Sequence, residues 1–208
     1  MLQNLLIPAL LLSVGCATTK VSTLSVYDRD SWPHWIDEDN DCQNLRAEIL
    51  IDTSLIPVTL DSKGCVVVEG RWFDSYTSRM YTKAVELDID HVVPLKHAHD
   101  HGAGDWSREQ KQEFANDIYN LIAVERGENR RKSASGPNEW MPPAEEYGCE
   151  YLQRWVGIKH KYGLWFDRDE NGWIKWYWKN FCSPDKVKVL GGMSPSVYGV
   201  VLNIKDFP

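Results

Sequence analysis

The chain of 208 residues is short of positive charge: 23 Lys and Arg stand against 30 Asp and Glu, a formal net charge of -7. A protein that holds a polyanion usually carries a basic patch, so this balance argues against a nucleic-acid partner unless cations are concentrated locally. A bilayer-spanning run is also missing. The apolar stretch from Leu5 to Val14 falls well short of the roughly 20 residues a spanning helix needs. No two of the five cysteines have the C-x-x-C spacing of a structural zinc site. There is no internal repeat or low-complexity block, so the length fits one domain with extensions. What is present is 43% hydrophobic and 25% charged residues, an ordinary soluble composition, with ten tryptophans and nine tyrosines that belong mainly in a core.

The N-terminus, "MLQNLLIPALLLSVGCATT", suits the apolar region of an export signal, although no Lys or Arg precedes it. Its Ser13-Val14-Gly15-Cys16 ending resembles a bacterial lipoprotein signal, cleaved at residues 1–15 and lipid-modified on Cys16. Residues 16–26 then read as a tether, and the address is the cell envelope or the exterior. Setting Cys16 aside leaves Cys42, Cys65, Cys149 and Cys182, an even count that permits two disulfides in three connectivities in an oxidising compartment.

Apolar spacing in "DNDCQNLRAEILI" predicts a short helix burying Leu45, Ile49 and Leu50. "PVTLDSKGCVVVEGRWFD" predicts a hairpin turning at Asp61 to Gly64, with its second strand at Cys65 to Glu69. "AVELDIDHVV" and "NLIAVE" are strands, joined by a long connection with one helix from Ser107 to Asn116. "RGENRRKSAS" opens a further helix that Gly136-Pro137 stops, and Tyr151, Leu152, Trp155, Val156 and Ile158 mark a core-packed helix later on. The fold class is α+β.

In "ELDIDHVVPLKH", strand alternation puts Asp88 and Asp90 on one face and Ile89 and His91 on the other. Pro94 ends the strand, where Asp90 and His91 can approach one concave site. A carboxylate to hold a hard cation beside an imidazole that titrates near neutrality is what metal-assisted hydrolysis requires. Alone, the dipeptide is common. Downstream, however, Asn120 opens the next strand, and Asn129 and Lys132 lie one turn apart on the following helix. Arg126, Arg130 and Arg131 join Lys132 within seven residues, a local basic patch that the bulk charge conceals.

The series Asp90-His91-x-x-Pro94, Asn120-Leu121, Asn129-x-x-Lys132 resembles the HNH, or ββα-metal, endonuclease motif, with asparagine for the last histidine. "DIDHVVP" is similar to the corresponding stretch in the HNH domain of RNA-guided CRISPR effectors. From Tyr27 to about Cys182 the chain more closely resembles exported bacterial HNH proteins related to the C-terminal domain of the GmrSD restriction enzymes. "YDRDSW", "CQNLRAEIL", "FANDIYNLIAV", "EWMPP" and "YGCEYLQRWVGIKHKYGLW" carry that likeness.

The resemblance implies one HNH nuclease domain over 27–208: two antiparallel strands plus a helix, with an N-terminal hairpin and a C-terminal helical extension. It implies His91 as general base, with Asn120 bracing the long loop that orients it. Asp90 and Asn129 would hold one divalent ion, Mg²⁺ or Mn²⁺ by their oxygen donors. Lys132, Arg126, Arg130 and Arg131 would contact substrate phosphates. It also implies the disulfides Cys42–Cys65 and Cys149–Cys182. The expected activity is metal-dependent cleavage of DNA, with RNA as a second substrate class, by a monomer of low sequence specificity. Two rival readings follow from the address: an envelope lipoprotein that binds metal or a partner without catalysis, and a secreted antibacterial toxin nuclease with an immunity protein.

Three further features read as structural. His97, His99 and His101 have the side chains for Zn²⁺ or Ni²⁺, but their place in the long connection reads as a surface loop. "DRDENG" at 167–172 copies the opening of a calcium loop and lacks its closing glutamate, Trp178 standing there, so it reads as a turn. "DEDND" at 37–41 reads as a solvated approach to a helix, with Ca²⁺ binding as the alternative.

Overall fold

The computed structural model describes Val26 to Cys182. The signal segment, Cys16 and all of the tether but Val26 lie outside the described residues. Within them the chain folds as α+β, with two small antiparallel sheets and six α-helices.

Helix α1 (Leu45–Thr53) starts where the Asn44 side chain accepts from the Ala47 N–H, and buries Leu45, Ala47, Ile49 and Leu50. Strands β1 (Thr59–Leu60), β2 (Val67–Asp74) and β3 (Arg79–Lys83) form the first sheet in that order. The predicted hairpin is therefore present, but β2 runs past Glu69 to Asp74 and gains β3 as a second partner. Exposure along β3, where no residue is buried, leaves no alternation from which to read that strand.

The second sheet pairs β4 (Leu87–His91) with β5 (Leu121–Glu125), and α4 (Arg126–Lys132) follows β5 directly. Glu125 caps α4 by accepting from the Gly127 and Glu128 N–H groups. Ser133, at φ 52°, ends this helix, three residues before the expected Gly136-Pro137 stop. The connection from β4 to β5 holds α2 (Leu95–Ala98), a wide helical turn over His99–Ala103, and α3 (Arg108–Ala115) behind a Ser107/Gln110 capping box. Gly102 has φ 123°, a conformation that side chains rarely adopt.

Helix α5 (Gly148–Lys161) buries Tyr151, Leu152, Trp155, Val156 and Ile158 as its spacing predicts. "DRDENG" corrects the turn reading: Asp167 is the N-cap of α6 (Arg168–Phe181), with Glu170 completing a capping box. The aspartates that mimic a calcium loop are helix-start chemistry. The His tract is corrected as well, since His97, His99 and His101 are all buried.

The β4–β5 pair lies between two cores. Leu87, Ile89, Leu121 and Ala123 join α1, Val67 and Trp72 in one, whereas Val92, Val93 and Val124 join α3, α5 and α6 in the other. The aromatic excess is partly core, as Trp32, Trp72 and Trp155 show, but Trp165 and Trp176 remain over half exposed. Disulfides link Cys42 to Cys65 and Cys149 to Cys182.

Candidate active site

Register decides which side chains of β4 can work together. Asp88 lies opposite Val124, Asp90 opposite Ile122 and His91 opposite Leu121. Residues directly opposite share a face, so the two aspartates look toward α4 and His91 turns with Ile89 to the other side.

His91 is buried, and its Nε2 lies 2.8 Å from the Ala115 carbonyl oxygen at the end of α3. A carbonyl can only accept, so Nε2 carries the hydrogen and Nδ1 is left with a lone pair. Burial pulls the imidazole down to about 3, outweighing the Ala115 bond, which acts the other way. The ring is therefore neutral through the physiological range. Trp35 lies against it, with centroids 5.7 Å apart.

Fully buried Asn120 grips the chain just beyond His91. Its amide donates to the Val93 carbonyl (3.1 Å) and accepts from the Val93 N–H (2.8 Å). Its own backbone carbonyl accepts from Val92 at 2.8 Å.

On the α4 side, Asp90 is engaged by Tyr76, whose hydroxyl donates to Oδ2 at 2.7 Å, and by Lys132 at 2.9 Å from Oδ2 and 3.1 Å from Oδ1. The same ammonium donates to the His91 carbonyl at 2.8 Å. Burial raises the Asp90 carboxyl and lowers the Lys132 ammonium, while their mutual attraction opposes both shifts. Lys132 is fully buried, so it faces Asp90 from inside the protein and is not on the surface a phosphate would meet. Asn129 donates to Asp88 at 3.3 Å, and the Arg126 Nε is 3.4 Å from the same carboxylate. Arg130 and Arg131 are exposed, with Arg131 paired to Glu128.

The structure thus brings Asp90 to Lys132, and Asn129 to Asp88 instead of to Asp90. Tyr76, Asp88 and the Ala115 carbonyl were not identified from the sequence. Strand alternation already put Asp88 beside Asp90 on one face, a usable signal. Nothing local marks Tyr76, which reaches Asp90 from the β2–β3 turn, or a backbone carbonyl. The donors on the α4 side are carboxylate and amide oxygens, chemistry that suits a hard divalent cation. Among the described residues, three-membered clusters of His, Cys, Asp or Glu occur elsewhere, at His97, His101 and Glu170 and at Asp37, Asp39 and Asp41.

Residues 47–174 match the family described as GmrSD restriction endonucleases, C-terminal domain. The chain belongs to this family. The match encloses Tyr76, Asp88, Asp90, His91, Asn120, Asn129 and Lys132, and a nuclease-type function goes with GmrSD C-terminal membership. Described as an "uncharacterized secreted protein", a relative from Arthroderma benhamiae is 39% identical over 140 residues, covering 66% of this chain and 67% of its own. No solved structure matches the chain.

Proposed function

We propose that this protein is a metal-dependent endonuclease that hydrolyses phosphodiester bonds in DNA, with RNA as a second substrate class, through an HNH core made of β4, β5 and α4. The observation that carries the reading is the His91 tautomer. A neutral imidazole pinned through Nε2–H has an Nδ1 lone pair with which to accept a proton from the attacking water; burial holds that nitrogen below the usual imidazole range, and the anionic phosphate of a bound substrate would act against this pull. Asn120 holds the following peptide in place, which makes it a positioning residue.

Asp90 and Asn129 are the proposed metal ligands, and Asp88 is a third oxygen donor on the same strand face. A divalent ion bound there, Mg²⁺ or Mn²⁺, supplies charge stabilisation at the phosphate and the leaving 3′ oxygen. Tyr76 and Lys132 hold the Asp90 carboxylate from behind. Arg130 and Arg131, on the exposed last turn of α4, are the proposed phosphate contacts, with Arg126 beside Asp88. Phosphate contacts give affinity without sequence choice. An exported location accords with the two disulfides and with the description of the Arthroderma relative as secreted.

Plasmid digestion by the purified protein tests the reading, with Mg²⁺ or Mn²⁺ and with EDTA, beside His91→Ala, Asp88→Asn and Asp90→Asn. Cutting should require the ion and fall by at least about 10²-fold in His91→Ala. Equal cutting by wild type and His91→Ala would remove His91 from the role of base. No cutting by the wild type with either ion would favour the non-catalytic binding protein.

A further inference from the structure

The first turn of α1 brings a cation to the candidate site that no motif marks. Arg46, between the buried Leu45 and Ala47, is itself half-buried. Its Nη2 donates to the Leu87 carbonyl at 3.0 Å and to the Ala84 carbonyl at 3.1 Å, which ties the guanidinium to the chain one residue before Asp88. Its Nε and Nη1 make no hydrogen bond to the described residues. Burial lowers this guanidinium from its ordinary value, the Asp88 carboxylate opposes that shift, and Arg126 adds to it. Asp88 and Arg126 are thus the charges Arg46 feels, and an arginine keeps its proton in such surroundings.

Arg126 approaches the same carboxylate from α4. Its Nε, 3.4 Å from Asp88 Oδ1, is buried without a hydrogen bond, and Asp88 Oδ2 accepts from Asn129 at 3.3 Å. Two guanidiniums therefore stand against one carboxylate, and both have donors left over. A buried donor with no acceptor is costly, and like charges held near each other repel. Both costs fall if an anion rich in acceptor oxygens settles between them. Guanidinium forks match the oxygens of a phosphate in pairs. Asp88 and Asp90 lie two residues apart on one face of β4, about 7 Å along the strand, a separation close to that of successive phosphates in a nucleic-acid strand.

We propose that Arg46 and Arg126 together clasp the substrate phosphate next to the one being cut, so that α1 contributes a binding residue to the site. The assignment rests on the nucleic-acid reading of that site. It gives Arg46 a second role beside its tie to β4, which occupies one of its three nitrogens.

The test is binding of a short fluorescent DNA duplex, read by anisotropy in EDTA, where no metal-dependent cutting occurs, over about 50 to 200 mM salt. In Arg46→Gln and in Arg126→Gln the slope of log affinity against log salt should become shallower by about 0.9, the share of one phosphate contact, with binding roughly tenfold weaker at ~0.1 M salt. Arg46→Lys should keep the slope, because it keeps the charge, and should still bind more weakly than wild type, because an ammonium has no paired fork. Thermal midpoints separate binding from folding: a side chain that only braces β4 would lower the midpoint in Arg46→Gln and leave the slope of the folded protein at the wild-type value, which would overturn the proposal. If Arg46→Gln does not fold, Arg46→Lys decides, and wild-type affinity in that variant would overturn it. A wild type that binds no DNA would do the same. Binding with the expected slopes but no cutting with Mg²⁺ or Mn²⁺ would support the clasp while removing the catalytic reading.

Discussion

At the scale of single residues, the site depends on protonation states set by burial. His91 is held at about 3 where the free imidazole sits at 6.5. The unfolded chain therefore binds a proton that the folded chain refuses. Stability from this group is complete above pH 6.5 and declines as pH falls toward 3, by up to about 1.4 kcal/mol per pH unit. Chemical denaturation of wild type and His91→Gln across pH 4–7 should show the decline shallower in the variant by that amount. Equal slopes would mean that the buried ring is not kept neutral. Asp90 and His91 were legible as a candidate metal ligand beside a candidate base, because both side-chain types stand in two adjacent letters. The partners that set their states, Ala115, Tyr76 and Lys132, are 14 to 42 residues away in the chain, where no local pattern reaches.

At the scale of elements, Lys132 connects α4 to β4. Its position on the helix was clear from the sequence, but the direction of its side chain was not: a lysine in a basic run reads as solvated until tertiary packing closes over it. Truncation to alanine strands a buried carboxylate, for which a loss on the order of 3–5 kcal/mol is expected. Urea denaturation of Lys132→Ala measures this, and a change below about 1 kcal/mol would return the side chain to the surface role first expected of it. Helix α6 shows the reverse difficulty. Asp167 and Glu170 form a capping box that sequence can announce, yet the same acidic spacing imitates a calcium loop. The burial of Ile174 and Trp178 separates the two readings, since a helix needs a buried side and an ion-binding loop does not.

At the scale of the whole molecule, the two disulfides fasten opposite ends of the described fold. Cys42–Cys65 ties the approach to α1 to the first hairpin, and Cys149–Cys182 ties α5 to the end of α6 across 33 residues. Replacing Cys149 and Cys182 by serine should lower stability by about 2–5 kcal/mol. The readout is the midpoint of thermal unfolding, with reduced wild type as the control. An unchanged midpoint would show that α6 is held by its packing alone, through Ile174, Trp178 and the buried Lys159–Glu170 pair.

The sequence by itself determined the helix and strand order around β4, β5, α4 and α5, because periodic burial of apolar side chains is a local property. It also nominated Asp90, His91, Asn120 and Asn129, whose spacing resembles a known motif. Tertiary structure alone decided which of these touch. It put Asn129 against Asp88, drew Lys132 inside to Asp90, and buried a histidine tract that reads as loop. Such contacts depend on the packing of segments far apart in the chain, and burial fixes both charge and direction only after that packing is complete.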